Sequence, residues 1–414
     1  MNSNHALIGN GRLPFEVLVQ VFEYYSEQET PFRPQETLLL VCKAWTVAAN
    51  GHPSLWTNYR INLSSTKTMM RWLHLTPYRL RRSGPQMLLQ IDIRHTGGPS
   101  QQAFQEVVHS RLVEKHQVDI KTTVIRLLGI LAGENGAHCA RWKSLRILLD
   151  SPLIVFRGKP DGTHELSSLN YPMPLLTSLH LKLRSGHAAK SLPLFPELPS
   201  INSITLENSF LQNYPDMRSA KEVSMRGGYS VEDGVRYGLI NAPNVEYLHF
   251  LYDGYVFCHP QEYPKLRVLS LEGRCMTRNL EQAQMPQLTT IILVFHRAGL
   301  VQEVSALPVI NHIHTLYLIG SDDYAPRGEG LEAIPGILRA CTSLQLLYIN
   351  DYALSFLLED WPAWRHLFMT GYSARVILKI SKEVERPLSV ECATTVKDLR
   401  RVASCYRLTL PDPL

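Results

Sequence analysis

Short apolar segments with a shared spacing recur along most of the chain. In each copy an apolar residue at position a is followed by apolar residues at a+3 and a+5, with more polar residues between them. This alternation is typical of a half-buried β-strand. The copies are LLQIDI (88–93), LTSLHL (176–181), INSITL (201–206), AKEVSM (220–225), VEYLHF (245–250), LRVLSL (266–271), LTTIIL (288–293), IHTLYL (313–318) and LQLLYI (344–349), with a looser WRHLFM (364–369) and a partial LRILLD (145–150). The repetition predicts a solenoid with one strand per turn.

The spacing of the copies supports a parallel sheet. From residue 176 to residue 344 the copies start 19 to 31 residues apart, which leaves room for a turn, a short helix and a return loop. Six copies have a proline two residues before position a, where it removes no donor from the middle of the strand. These prolines are Pro174, Pro199, Pro243, Pro264, Pro286 and Pro362. We predict an α/β solenoid over residues 64–370 with a terminal cap at 371–414; a non-repeat α/β domain is the alternative.

These copies resemble leucine-rich repeats over most of their length. The Asn or Cys that this family places at a+8 is missing, with Arg184, Ser209 and Asp253 among the residues found there. We therefore expect an irregular solenoid in place of a regular horseshoe.

Residues 12–63 follow a helical pattern. Pro14 suits the first position of a helix, and Val17, Leu18, Val21 and Phe22 then follow with helical spacing. A second helix is predicted over 35–50, followed by a short helical turn and an extended segment. Three helices this short bury little surface alone, so they should share apolar faces with a partner or with the rest of the chain. A helical cap on the next domain is the alternative, and we expect residues 1–11 to be disordered.

Three ordered motifs in this segment carry a family resemblance. They are Leu13-Pro14-x-Glu16-Val17-Leu18, Val41-Cys42-Lys43-x-Trp45 and Pro53-x-Leu55-Trp56. Together they resemble a three-helix F-box, in particular the F-box-like domains of fungal protein families. The resemblance implies binding to the Skp-type adaptor of a cullin-RING ubiquitin ligase, through Leu13, Pro14, Val17, Leu18, Val21, Phe22, Val41, Cys42, Trp45, Leu55 and Trp56. Some of these side chains must instead hold the helices together, and Trp45 could be one of them.

The strand residues at a+2 and a+4 should face away from the core and could bind a target protein. In the C-terminal half of the solenoid these positions carry large side chains, and aromatic residues are enriched in binding hot spots. The candidate target-binding residues are Tyr247, His249, Ile292, Tyr317, Leu346 and Tyr348.

Composition narrows the remaining possibilities. The net charge is only +5 over 414 residues and shows no strong basic patch, so we expect no nucleic-acid partner. There is no apolar run long enough to cross a membrane and no secretory signal, and the seven cysteines are scattered, which favours the cytoplasm or the nucleus. Nucleotide-binding, hydrolase and zinc motifs are missing, so we expect no cofactor and no metal; His312 and His314 are a weak alternative as metal ligands.

The combined prediction is a non-catalytic substrate-recognition subunit of an SCF-type ubiquitin ligase. The F-box would bind the adaptor, and through it a cullin, while the solenoid would bind a target. A non-ligase interaction scaffold and an enzyme of unrecognised type are the alternatives.

Overall fold

A computed structural model describes most of the repeat region and of the N-terminal module. It covers residues 15–27, 35–95, 111–149, 154–156, 165–185, 194–207, 216–227, 242–252, 262–273, 283–295, 304–305, 307, 309–320, 333–350 and 377–381. Leu13, Pro14, the residues 1–11, the copy at 364–369 and most of the predicted cap lie outside the described residues.

Twelve parallel strands of the described chain form one sheet, and they lie in chain order. They are β1 (Asn58–Asn62), β2 (Leu89–His95), β3 (Trp142–Leu149), β5 (Ser178–Lys182), β7 (Ser203–Glu207), β8 (Glu222–Gly227), β9 (Tyr247–Tyr252), β10 (Val268–Gly273), β11 (Thr290–Phe295), β12 (Thr315–Gly320), β13 (Leu346–Asn350) and β14 (Ile377–Ser381). Two short strands, β4 (Val155–Phe156) and β6 (Arg184–Ser185), pair separately. This α/β architecture with a parallel sheet is confirmed, and it is consistent with a solenoid-like repeat.

The strand register places equivalent repeat positions side by side. Position a+3 of one strand pairs with a+3 of the next, as in Leu248 with Leu269, and position a+5 follows the same rule, as in Phe250 with Leu271. The two rows are buried along the strands β2 to β12. A slip of one residue would turn both rows to the opposite face of the sheet, so the apolar pattern fixes the register.

The copy at 145–150 has a different frame from the predicted one. Leu145 pairs with Ile91 and Leu179, which are both a+3 residues, so position a is Trp142 and not Leu145. Leu145 and Leu148 imitate this frame because they have the spacing of a and a+3. In the structure Ile147 is buried at a+5, and Leu148 is half-buried on the opposite face.

Tight turns precede most strands and explain the prolines. The N–H of position a donates to the carbonyl of a−3, as in Leu176 to Met173 (3.1 Å), Ile201 to Leu198 (3.2 Å) and Leu266 to Tyr263 (3.2 Å). Proline is favoured at the second residue of such a turn, which is its place in five described copies. Pro362 lies outside the described residues.

Helices cover the buried face of the first strands. Helix α3 (Thr66–Ser83) starts at a capping box, in which Ser65 and Thr68 bond to each other's backbone N–H groups. Helix α4 (Arg111–Ala132) follows β2, and α5 (Ala333–Ala340) precedes β13. Apolar residues of α3 and α4 belong to the same continuous core as the strand rows.

Strand β14 extends the sheet into the segment predicted as a cap. It pairs with β13 in the register of the other strands, for example Leu347 with Leu378. The sheet therefore continues past residue 370, whereas the rest of the predicted cap stays a prediction.

Candidate partner-binding surfaces

The N-terminal module consists of two α-helices and two 3₁₀ helices. Helix α1 is Phe15–Glu27, α2 is Lys43–Asn50, and the 3₁₀ helices are Gln35–Leu40 and Pro53–Trp56. The second predicted helix is interrupted at Cys42, whose backbone is extended (φ −164°, ψ 169°). The hydroxyl of Thr46 spans the break, because it lies within hydrogen-bond distance of the carbonyls of Leu39 (2.9 Å) and Cys42 (3.0 Å) and can donate its single proton to either. A three-helix module is thus not confirmed.

The module has a small core of its own. Trp56 is fully buried and donates its Nε1–H to the carbonyl of Ala49 (2.8 Å), which ties the second 3₁₀ helix to the end of α2. Phe22 meets Trp45 edge to face, with 5.1 Å between the ring centroids. The buried apolar residues of this core are Leu18, Phe22, Leu38, Ala48, Ala49, Leu55 and Trp56. Four predicted adaptor-binding residues, Leu18, Phe22, Leu55 and Trp56, therefore contribute to the module's own interior.

A second set of apolar side chains faces solvent in the same module. Among the described residues, nine large hydrophobic side chains are exposed, and six of them lie here. We call these six the outer apolar set: Val17, Val21, Tyr24, Leu40, Val41 and Val47. Leu40 is 83% exposed and Val47 is 70% exposed. A concentration of exposed apolar residues is typical of a surface that binds a partner.

The outer apolar set refines the predicted adaptor contacts. Val17, Val21, Val41 and also Cys42 are exposed as an adaptor contact requires, while Trp45 is half-buried. The sequence analysis missed Tyr24, Leu40 and Val47. For Tyr24 a signal was present, because it continues the stripe of Val17 and Val21 with helical spacing. Adaptor binding by any of these residues stays a prediction.

Five of the predicted target-binding residues have described side chains, and these lie on the sheet face opposite the core, which we call the outer face. Ile292 pairs with Tyr317, and Tyr317 pairs with Tyr348, so these three positions form one row across β11, β12 and β13. Ile292 and Tyr317 are half-buried, and so are Tyr247 and Leu346 in the neighbouring a+2 row. The side chain of Tyr348 lies outside the described residues.

His249 differs from its neighbours on the outer face. Its side chain is buried, and its Nε2 lies 3.7 Å from Oε2 of Glu272 on β10. His180 and Glu207 repeat this arrangement on β5 and β7, with 2.9 Å between Nε2 and Oε1. In both pairs a histidine at a+4 meets a glutamate at a+6 of the next strand.

The first strands carry charged residues on the outer face that the sequence analysis did not single out. They are Arg60, Asp92, Arg94, Arg146, Lys182 and Glu207. In the repeat pattern Asp92 is an a+4 residue, whereas Arg94, Lys182 and Glu207 are a+6 residues. The predicted frame of the copy at 145–150 does not place Arg146 on the outer face, and Arg60 lies outside the predicted copies.

Residues 11–62 match the family model for F-box-like domains. No curated protein matches the chain. The matched range contains both α-helices of the module, both 3₁₀ helices and the strand β1. Three motifs recognised in the sequence therefore coincide with an F-box-like domain that has a core of its own and six exposed large apolar side chains.

The F-box-like domain is joined to the sheet without a linker. β1 lies inside the matched range, and it pairs with β2 from Asn58 with Gln90 to Asn62 with Arg94. One strand thus belongs to both parts of the molecule.

A buried ion pair reinforces this junction. Arg79 of α3 is only 1% exposed and binds both carboxylate oxygens of Glu36 in the F-box-like domain, at 2.6 and 2.9 Å. Its guanidinium also donates to Oε1 of Gln35 (2.6 Å) and to the carbonyl of Asn58 (3.2 Å), and it lies 4.9 Å from the ring of Trp72. Burial alone raises the pKa of Glu36, but the bonds and charge of Arg79 outweigh it and hold that pKa below 4.5.

A second arginine on α3 also contacts the F-box-like domain. The guanidinium of Arg82 lies 3.3 Å from the ring centroid of Tyr78 and 5.1 Å from that of Trp56, and its Nε donates to Oδ1 of Asn50 at 2.5 Å. The two arginines together fix the domain against helix α3.

The pH dependence of stability should reveal the Glu36 pair. A carboxylate whose pKa is lowered on folding adds stability above its unfolded value of 4.5, and this contribution is lost as the pH falls through the lower folded value. We expect Glu36→Gln to be less stable than the wild type at pH 7, with the difference shrinking as the pH falls below 4.5. Urea unfolding at several pH values measures this. The exposed Glu134→Gln is the control, and a difference that stays constant with pH would contradict the assignment.

No group of three or more metal-binding side chains is found in the described part of the chain. Within the same residues, no helix is long and apolar enough to cross a membrane.

Proposed function

We propose that the chain is the substrate-recognition subunit of an SCF-type ubiquitin ligase. The observation that carries the proposal is the division of apolar residues in the F-box-like domain. One set, with Phe22 and Trp56, completes the domain's core, while the outer apolar set remains in solvent. A domain that needed only to fold would not require the second set.

The F-box-like domain would bind a Skp-type adaptor through the outer apolar set. Val17, Val21 and Tyr24 form a stripe on α1, and Leu40 and Val41 lie where the first 3₁₀ helix ends. Apolar anchors at helical spacing fit a helix-in-groove contact, in which a few side chains enter the partner's surface.

The solenoid would hold a target protein on its outer face. This role requires no covalent chemistry from the chain itself, because bringing the target to the ubiquitin-carrying enzyme makes the transfer effectively intramolecular. The fixed junction at Arg79 supports the proposal, since it would keep a constant distance between adaptor and target. We propose a cytoplasmic or nuclear location, where such a ligase would work.

The direct test is complex formation with purified components. The full chain, a Skp-type adaptor and a cullin are mixed, and size-exclusion chromatography with light scattering measures the mass of each complex. We expect a stable complex of chain and adaptor that also binds the cullin. A folded chain that binds no adaptor would contradict the proposal, and a complex that never includes the cullin would indicate a non-ligase scaffold.

The target-binding part of the proposal predicts a selective loss. Tyr317→Ala removes a half-buried aromatic side chain from the middle of the outer row, and such residues contribute about 2–4 kcal/mol in binding hot spots. We expect target affinity to fall roughly 30-fold or more, with adaptor affinity unchanged. Binding titrations with an identified target measure both, and His314→Ala on the exposed a+1 position is the control. Equal target affinity in wild type and Tyr317→Ala would exclude this site.

A further inference from the structure

We propose that the N-terminal half of the outer face binds an acidic segment of the target, with Arg146 as the central cation. This inference rests on the proposed function and names the chemistry of the ligand. It is carried by the position of Arg146, by the pairing of its charged neighbours, and by the small side chains beside it.

Arg146 occupies the middle of the outer face on β3. Leu145 and Ile147 on either side are buried in the core, so the side chain of Arg146 leaves the sheet on the opposite face. In the strand register it lies between Asp92 on β2 and His180 on β5.

Both neighbours already have a partner of opposite charge. Asp92 accepts hydrogen bonds from Nε of Arg94 at 2.8 and 2.9 Å and from its Nη2 at 2.5 Å. His180 lies 2.9 Å from Glu207, and Lys182 lies 3.8 Å from the same carboxylate.

Arg146 itself has no hydrogen bond or ion pair with any described residue. Its Nε is shielded from solvent and also lacks a partner within that part of the chain. Enclosed polar atoms in native proteins are nearly always bonded, so the enclosed, unbonded Nε of Arg146 points to an anion that is supplied from outside.

The charge balance around Arg146 favours an anionic ligand. The outward-facing residues of β1, β2, β3, β5 and β7 include four cations and two anions. The cations are Arg60, Arg94, Arg146 and Lys182, and the anions are Asp92 and Glu207. A protein segment with carboxylate side chains would neutralise this excess, and a guanidinium binds a carboxylate through two parallel hydrogen bonds.

Space for such a segment lies along the neighbouring a+2 row. Ser144 pairs with Ser178, and Ser178 pairs with Ser203, so three serines lie side by side next to Arg146 and His180. All three are half-buried. Small side chains let a bound backbone approach the sheet, and their hydroxyl groups can donate to carboxylate oxygens.

The two halves of the outer face then define a spacing in the target. Six strand steps separate Arg146 on β3 from Ile292 on β11, which is about 29 Å at ~4.8 Å per step, the length of roughly nine extended residues. A target segment with an acidic side chain and a large apolar side chain separated by that distance would contact both halves of the outer face.

A charge-reversal experiment tests the inference. The probe is a displayed library of random 16-residue peptides, selected on the full chain as wild type, Arg146→Gln and Arg146→Glu. We expect the wild type to enrich Asp and Glu, Arg146→Gln to lose that enrichment, and Arg146→Glu to enrich Lys and Arg. Selected acidic peptides should bind Arg146→Gln at least tenfold more weakly. Arg126→Glu, at an exposed position of α4, is the control and should select the same peptides as the wild type.

The outcomes separate this inference from the proposed function. If the wild type enriches no acidic residues, or if all three forms select the same peptides, the inference is overturned. The adaptor complex of each form is measured in parallel. If the wild type forms no complex with the adaptor, the receptor proposal is overturned, whatever the peptides show.

Discussion

Arg79→Ala is expected to lower the free energy of unfolding by about 3–5 kcal/mol, because removing one partner of a buried ion pair leaves the other charge without compensation. The guanidinium makes four hydrogen bonds across the junction, two of them to Glu36. Without it, the carboxylate of Glu36 and the amide of Gln35 would have to remain in a largely enclosed site.

Urea unfolding monitored by tryptophan fluorescence measures this effect, since Trp72 lies beside the guanidinium. The control is Arg81→Ala, because Arg81 is on the same helix but exposed. Surface substitutions of this kind change stability by about 0.5 kcal/mol or less. A loss below about 1 kcal/mol in Arg79→Ala would mean that the ion pair is weak and that packing alone holds the junction.

The second large effect is expected on adaptor binding. Val21→Asp and Val41→Asp each place a charge within the outer apolar set, where the bound adaptor would exclude water. We expect the affinity for the adaptor to fall by about 100-fold or more in each variant, since an unpaired charge in an apolar contact costs several kcal/mol. Stability should change little because both side chains are exposed, Val21 by 40% and Val41 by 57%.

Two further variants make this test specific. Ser64→Asp adds the same charge at an exposed position outside the F-box-like domain and should bind the adaptor as the wild type does. Leu18→Asp alters a side chain that is only 6% exposed, so it should unfold the domain and lose binding for that reason. Calorimetric titration with the adaptor, beside circular dichroism of each variant, distinguishes the two causes. Full affinity in Val21→Asp would exclude the stripe on α1.

The sheet could be predicted because its signal is local and repeated. Each strand carries its apolar residues at a+3 and a+5, and the turn before it is marked by position a and often by proline. The copy at 145–150 shows the limit of that signal. Trp142 is the true position a, but the Leu145–Leu148 spacing imitates it, and only pairing with Ile91 and Leu179 fixes the frame.

The roles of residues in the F-box-like domain could not be separated by the same means. Val17 and Leu18 are adjacent on one short helix, and both are apolar, yet one is exposed and the other is buried. Which stripe turns inward depends on how α1 meets Trp45 and Trp56, and spacing along the helix contains no information on this.

The contact between Glu36 and Arg79 could not be predicted from the sequence, for a different reason. Glu36 and Arg79 are 43 residues apart, and a single Glu and Arg at that distance form no recognisable motif. Arg146 is a similar case, because its significance comes from the pairing of the charges around it and not from its own neighbours in the chain.

The shared strand β1 limits how the F-box-like domain could be exchanged with that of another protein by recombination. A recombination event that replaced residues 11–62 would also replace the first strand of the sheet. Without a strand that fits, β2 would become a bare edge with unpaired N–H and C=O groups, and such edges promote self-association. If the outer apolar set binds an adaptor as proposed, new adaptor specificity should arise by substitution within this set more readily than by the transfer of whole domains.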